Sequence, residues 1–395
     1  MGGDRTRIVL SSHDSLGLGH VRRNAAIAHR LADDLPQMTG VRVSGLLLTG
    51  ASPALGLRAP DGFDWVGVPG VSKDEEGYRP RSLREDTSLV ISLRSTLIEA
   101  ALEVFRPDLV IIDRHLLGVH DELHTPLHAL RQALPECRMV LGLREVLDDP
   151  AAAAREWARP GHEAALRDLV DEVWVYGDRA VHDLVSSGEV PAWVDERTEF
   201  TGYLATGRPS APDQVHPPDD YVLTTVGGGR DGRALLEAAV AMPVPTGLRH
   251  LLVAGPQMPQ EDLQRIRARA GAAVTVVSSC PDVAALVAGA RAVVTMGGYN
   301  TICEVLAGTT PALVVPREHP RREQLIRARA LQEVGAVDLV RSQDLSPQVM
   351  GRWCAHAVGR GVDRSHIARD GLARVSTLAA RLLAPTNHTP EEETP

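Results

Sequence analysis

The sequence predicts an α/β protein of two doubly wound parallel sheets facing each other across a cleft. Three observations carry that prediction. Short apolar runs of strand length alternate with stretches of helical periodicity over residues 7–176. A break rich in Pro, Ser and Gly occupies residues 206–218. A second alternating series then begins at Tyr221 and continues to about Leu383. Strands separated by helices imply parallel pairing through right-handed crossovers. In such open sheets ligands bind beyond the carboxyl ends of the strands.

In chain order, residues 7–11 read as a buried strand. Residues 21–35 read as a helix with Ile27, Leu31 and Leu35 at helical spacing. Strands follow at 41–48 and 64–68, then a long helix at 88–105 stopped by Arg106-Pro107. Residues 108–113, 139–143 and 172–176 complete the first set of strands. The second set is 221–225, 251–254, 274–277, 292–295 and 312–315. The predicted organisation is a first domain at 1–205, a linker at 206–218 and a second domain at 219–384. The final helix returns to the first domain, and 385–395 is a polar, acidic, disordered tail.

Composition removes several function classes. A net charge of -9 disfavours a broad nucleic-acid or anionic-membrane surface. Aromatic residues make up 3% of the chain, too few for a base-stacking platform on single-stranded nucleic acid. The four cysteines, Cys137, Cys280, Cys303 and Cys354, form no CxxC pair, so neither zinc nor a disulfide framework is expected and a cytoplasmic location is. No run of about 18 apolar residues predicts a transmembrane helix, and no apolar patch stands out as a membrane-docking surface. No Asp-x-Asp metal box follows a strand, so a metal-independent site is expected.

The most informative stretch is Met296-Gly-Gly-Tyr-Asn-Thr-Ile-Cys-Glu304, which leads from a strand into an apolar helix. Gly297 and Gly298 let backbone N–H groups approach a ligand, and a helix start offers unpaired N–H groups to a phosphate. Asn300 and Thr301 stand equally well as ordinary helix caps. Glu304 lies one turn further, at a distance suited to ribose hydroxyls. Two other strand ends belong with it. Gly227-Gly228-Gly229-Arg230 is either a phosphate-approaching turn or a plain strand–helix turn. Glu323-Gln324, at a helix start after Pro316, offers a carboxylate and an amide to sugar hydroxyls, or a solvated face with Glu323 opposite Arg327.

At this point residues 296–324 resemble the donor-binding signature of GT-B nucleotide-sugar glycosyltransferases. Where the plant-type signature reads His-Cys-Gly-Trp-Asn-Ser-Thr-Leu-Glu, this chain has Met296 to Glu304, and its two later prolines match Pro311 and Pro316. The spacing from Pro316 to Glu323-Gln324 is similar to glycosyltransferase family 28, which includes the peptidoglycan N-acetylglucosaminyltransferase. SHDSLGLGHVRRN, MGGYNT and PRREQLIRA look most like a bacterial group of predicted family-28-like transferases. The resemblance implies a GT-B fold of two Rossmann-like domains, a nucleoside-diphosphate-sugar donor with uridine as the family default, and no further cofactor. It implies donor contacts at Gly228, Gly229, Arg230, Pro281, Val283, Gly297, Gly298, Asn300, Thr301, Glu304, Glu323 and Gln324. Two departures stand out. Met296 replaces the family's His or Arg and cannot neutralise phosphate; Arg230, Arg317 and His319 are the candidates to compensate. The base-stacking Trp before Pro281 is replaced by Ser279 or Cys280.

On the acceptor side, Ser12-His13-Asp14-Ser15-Leu16-Gly17-Leu18-Gly19-His20 follows the first strand. A dinucleotide fingerprint would want a third glycine and a later acidic residue, which are missing. His20 suits the base of an inverting sugar transfer, oriented by Asp113 at the end of another strand. His13 is the competing base. Arg144 and Glu145, after residues 139–143, are acceptor-site candidates, while Arg22 and Arg23 read as a solvated helix face. The alternatives to a transferase are a nucleotide-sugar epimerase of similar fold and a sugar-nucleotide-binding protein without catalysis.

Overall fold

The computed structural model describes residues 5–13, 19–50, 57–73, 77–209 and 217–384. Residues 14–18, most of the predicted linker and the predicted tail lie outside the described residues. The first sheet has seven strands: β1 (Arg5–Ser11), β2 (Arg42–Thr49), β3 (Phe63–Gly67), β6 (Leu109–Asp113), β7 (Arg138–Arg144), β8 (Glu172–Tyr176) and β9 (Thr198–Phe200). Their order is β3-β2-β1-β6-β7-β8-β9, and every neighbouring pair is parallel. Such a sheet is covered on both faces, which is why β6, Leu-Val-Ile-Ile-Asp, is buried throughout. A separate antiparallel hairpin, β4 (Val71–Lys73) and β5 (Tyr78–Pro80), projects beyond β3.

The helices of this half are α1 (Gly19–Thr39), α2 (Thr87–Phe105), α3 (His124–Ala133), α4 (Pro150–Trp157) and α5 (His162–Leu169). α1 buries Val21, Ala28, Leu31 and Leu35, the apolar stripe expected of a helix facing one side of a sheet. α2 departs from expectation. Leu89, Leu93 and Leu97 recur at every fourth residue on its outer face and are exposed, so an apolar stripe exists where none stood out in the sequence.

The second sheet has six parallel strands: β10 (Tyr221–Thr225), β11 (Arg249–Val253), β12 (Val274–Val277), β13 (Ala292–Thr295), β14 (Ala312–Val314) and β15 (Asp338–Leu339). Their order is β12-β11-β10-β13-β14-β15. The helices are α6 (Arg233–Val240), α7 (Gln260–Ala268), α8 (Val283–Gly289), α9 (Tyr299–Leu306), α10 (Glu323–Glu333), α11 (Pro347–Ala357) and α12 (Gly371–Leu383). α12 leaves the second sheet and packs on α1. It is tied to the first sheet by Arg381, which pairs with Glu172 at 2.5 Å and Glu199 at 2.9 Å.

The chain thus crosses between the halves twice, and the crossings are hydrogen-bonded to each other. Tyr203 N–H donates to the Ala368 carbonyl at 2.8 Å, Thr206 N–H to Arg369 at 3.0 Å, and Gly371 N–H to Tyr203 at 3.0 Å.

Each sheet reverses its winding once: between β1 and β6 in the first, and between β10 and β13 in the second. The crevice at such a reversal is where doubly wound sheets bind ligands. His13 and His20 follow β1, and Asp113 ends β6. Gly227 to Gly229 follow β10, and Gly297 and Gly298 follow β13. Most of the residues singled out in the sequence therefore gather at two facing crevices.

Candidate active site

α9 begins at Gly298 as its N-cap with no side-chain cap hydrogen bond. Neither Asn300 nor Thr301 caps it. Asn300 instead reaches across the cleft: its Nδ2 donates to the Gly19 carbonyl at 3.0 Å, and its Oδ1 accepts from Arg208 at 3.2 Å. The free N–H groups at the start of α9 keep their positive potential for an anion. Gly297 has φ of 77°, and a Cβ there would stand 2.6 Å from Val314 Cγ1, so only glycine fits this turn. Met296 turns into the core among Val226, Val294 and Val315, away from the cleft.

The β10 turn is equally constrained. Gly229 has φ of 95°, and a Cβ would lie 2.2 Å from the Ala254 carbonyl oxygen. Gly228 accepts from Gln257 N at 2.8 Å, and Arg230 is exposed. Pro281 is exposed. Val283 packs its side chain in the core at the start of α8, where Asp282 caps Ala285 N at 3.0 Å.

Two carboxylates line the donor side. Glu304 Oε1 accepts from Arg22 Nη2 at 3.1 Å, and its Oε2 is shut off from solvent without a partner. Glu323 Oε1 accepts from Arg317 Nη2 at 2.5 Å, and its Oε2 is likewise orphaned. Gln324 Oε1 accepts from Arg317 N at 2.9 Å. Burial on its own would raise the Glu323 pKa, but Arg144, Arg317 and Arg327 outweigh it and hold the carboxyl below its usual range. The alternative pairing, of Glu323 with Arg327, does not form among the described residues. Arg327 instead donates from Nε to Glu145 Oε1 at 2.6 Å and from Nη2 to Oε2 at 3.2 Å.

That pair corrects the acceptor-side expectation for Glu145. The residue is fully buried and committed to a cross-domain ion pair, so it offers no carboxylate to an acceptor. Arg22 and Arg23 also depart from the solvated face expected of them. Arg22 bridges to Glu304. Arg23, 1% exposed, bonds Asp113 Oδ1 through Nη2 and lies over the rings of Tyr176 and Tyr299, 5.8 and 5.5 Å from their centroids. Its burial is set by Tyr299 from the other domain, which no local pattern around Arg23 shows.

His20 Nδ1 stands 2.5 Å from Asp113 Oδ2. A carboxylate is acceptor-only, so the imidazole proton sits on Nδ1 and Nε2 is left as the proton acceptor. Burial lowers the His20 pKa to about 4 despite the opposing attraction of Asp113. Asp113 is held below its usual range: its burial would raise it, but Arg23 and His20 prevail. Among the described residues no carboxylate bonds His13. Its Nε2 meets Tyr78 Oη at 3.1 Å, Nδ1 is buried without a partner, and burial beside His115 and His20 depresses its pKa. His115 packs against His13 with ring centroids 4.3 Å apart and pairs with Glu156 at 2.7 Å; burial and Arg114 take its pKa to about 4. Tyr78, His115 and Glu156 were not singled out in the sequence. His115 lies two residues beyond Asp113 at the same strand end, which was the available signal; Tyr78 arrives on the β4–β5 hairpin, which carried none.

Arg144 is the last residue of β7. Among the described residues no hydrogen bond or ion pair reaches its guanidinium, and its Nε is shut off from solvent. Burial, opposed by Glu323 and reinforced by Arg327, Arg23 and Arg114, lowers its pKa to about 9. Among the described residues no group of three or more His, Cys, Asp or Glu is placed to hold a metal ion, and no helix is long and apolar enough to cross a membrane.

Known proteins match this arrangement in sequence and in fold. Residues 222–351 match the family model of the glycosyltransferase family 28 C-terminal domain. The UDP-N-acetylglucosamine–N-acetylmuramyl-(pentapeptide) pyrophosphoryl-undecaprenol N-acetylglucosamine transferase of Mannheimia succiniciproducens is 30% identical over 167 residues, 39% of this chain and 47% of that protein. The chain spans about a quarter to a half of the length of the first curated relatives it matches. The crystal structure of the glycotransferase of kitacinnamycin superposes with a TM-score of 0.61 at 16% identity, covering 96% of this chain and 100% of that one. The UDP-GlcNAc 2-epimerase of Methanocaldococcus jannaschii superposes with a TM-score of 0.57 at 11% identity, covering 95% and 99%. At these identities the structural likeness is one of fold. Residues 222–351 are therefore similar to the family 28 C-terminal domain, and the chain as a whole has the GT-B fold of the glycosyltransferase structures it superposes on.

Proposed function

We propose that this protein transfers a sugar from a nucleoside-diphosphate sugar to an acceptor hydroxyl, with inversion and without a metal ion. One observation carries the reading. The His20–Asp113 dyad sits one residue from the contact between Gly19 and Asn300, so a buried base and the uncapped start of α9 share one cleft. The diphosphate binds at the Gly297–Gly298 turn and the α9 N-terminus. The orphaned oxygens of Glu304 and Glu323 accept from ribose and sugar hydroxyls, each relieving a buried acceptor.

In the transfer step the acceptor oxygen attacks the anomeric carbon and gives its proton to His20 Nε2. Asp113 stabilises the imidazolium. The bond from the anomeric carbon to the diphosphate oxygen breaks, and its electron pair leaves with the diphosphate. His20 is preferred to His13 because, among the described residues, His20 has a carboxylate on its far nitrogen and His13 has the Tyr78 hydroxyl. Uridine is the default base, since the matched curated relatives are named for UDP-N-acetylglucosamine. The soluble cytoplasm is the expected compartment, with peripheral membrane contact left to the acceptor.

The test is mass spectrometry of the purified chain with a panel of nucleoside-diphosphate sugars, with and without candidate acceptors. A transferase gives an acceptor-dependent product. Donor conversion with no acceptor present would replace this reading with epimerisation, and binding without any turnover would replace it with a sugar-nucleotide sensor.

A further inference from the structure

The guanidinium groups at the inner faces of the cleft balance almost completely. Arg22 pairs with Glu304, Arg23 with Asp113, Arg114 with Glu156, Arg327 with Glu145, and Arg317 with Glu323 and Asp231. Arg208 is bonded to the Leu204 carbonyl and to Asn300, whereas among the described residues no hydrogen bond or ion pair reaches Arg144. Arg144 is half-buried, and its Nε is shut off from solvent without a hydrogen-bond partner, an unfavourable state for a cation. Its strongest like-charged neighbour is Arg327, whose Nη1 donates to the Gly297 carbonyl at 3.3 Å. The strongest carboxylate acting on it is Glu323 of α10. Glu145, the next residue along, bonds Arg327, which in turn bonds the Gly297 carbonyl, so Arg144 stands near the glycine turn although it belongs to the other domain.

We infer that Arg144 binds the donor diphosphate from across the cleft and stabilises it as it departs, supplying the positive charge that Met296 lacks. The inference rests on the sugar-transfer reading above. As the anomeric C–O bond breaks and its electron pair passes to the diphosphate, the added negative charge meets a half-buried guanidinium that no carboxylate already pairs among the described residues. No proton moves to or from Arg144. The other cations that could compensate for Met296 are less suited to this role. Arg317 is held by two carboxylates, and Arg230 and His319 are exposed. A donor-binding cation in the acceptor-side domain also means that bound diphosphate draws the two domains together.

Calorimetry on the full chain tests this with three probes: uridine diphosphate, pyrophosphate and uridine. Arg144→Gln should weaken uridine diphosphate and pyrophosphate binding by about 10–100-fold, the value of a charge-assisted hydrogen bond, and leave uridine binding unchanged. Arg144→Lys should restore part of the loss. The free Arg144→Gln protein should melt no lower than wild type, since an unpaired cation has been removed. Diphosphate affinity within about two-fold of wild type, or a parallel loss for uridine, overturns the assignment while leaving the transferase reading intact. Wild-type protein that binds none of the three probes overturns both.

Discussion

Replacing Arg327 by methionine should separate the domains energetically. Arg327 and Glu145 lie on different domains, both essentially without solvent contact, and are joined by two hydrogen bonds of 2.6 and 3.2 Å. Arg327→Met leaves the Glu145 carboxylate buried and unpaired, with only the neighbouring Val146 N–H at 3.2 Å. Breaking one side of such a pair costs about 3–5 kcal/mol, because the remaining ion has no water to return to. For a protein of this size that corresponds to a fall in Tm of roughly 5 °C. Urea unfolding followed by the fluorescence of the buried Trp174 is the assay. The double variant Glu145→Leu/Arg327→Met removes both charges and should recover most of the loss, since apolar replacements of a buried pair are often neutral. A single variant within about 1 kcal/mol of wild type, or a double variant less stable than the single, would refute the reasoning.

Five further outcomes are expected. His20→Ala should reduce turnover by about 100-fold or more with donor affinity nearly unchanged; full turnover would remove His20 as the base. Because the neutral imidazole is the active form and its pKa is about 4, kcat/KM should hold from neutral pH down to about 5 and fall below 4, whereas a midpoint near 6.5 would contradict its burial. His250 is fully buried, bonded to Thr224 Oγ1 at 2.8 Å, and lowered by burial to about 4. Below about pH 6.5 the unfolded chain takes up a proton that the folded one refuses, so stability falls towards pH 4 by on the order of 3 kcal/mol from this residue alone; urea midpoints that do not move between pH 7 and 5 would argue against it. Glu304→Ala should weaken nucleotide binding about 10-fold by calorimetry, and an unchanged Kd would mean that the ribose is held elsewhere. Gly229→Ala should destabilise by about 2 kcal/mol or more, read by thermal melting, because its φ and the Ala254 carbonyl both exclude a Cβ.

Much of the architecture was legible because its signals are local. The buried strands at the sheet centres are continuous apolar runs, and the observed bounds of β8, β10 and β12 coincide with those read from sequence. The short edge strand β15, Asp338–Leu339, was not legible: two residues carry no period, and its pairing with β14 is set by the sheet. The same distinction holds in the cleft. His20 and Asp113 could be paired on paper because both stand at strand ends. Arg23 could not, because its burial depends on Tyr299, far away in the chain. Glu145 was misread for the same reason: its position after a strand suggested a cleft residue, and its partner Arg327 lies on a helix of the other domain. Long-range ion pairs leave no periodic trace.

The double crossing at Tyr203–Thr206 and Ala368–Gly371 has a mechanical consequence. A single tether lets two bodies swivel freely about it. Two tethers laced together at one point define an axis, so any parting of the domains against their cross-domain bonds is guided about that axis and torsion across it is resisted. The base on one side and the glycine turn on the other then return to the same register at every closure. Loosening that strap, for instance at Gly202 where φ is 82°, would cost alignment before it cost affinity.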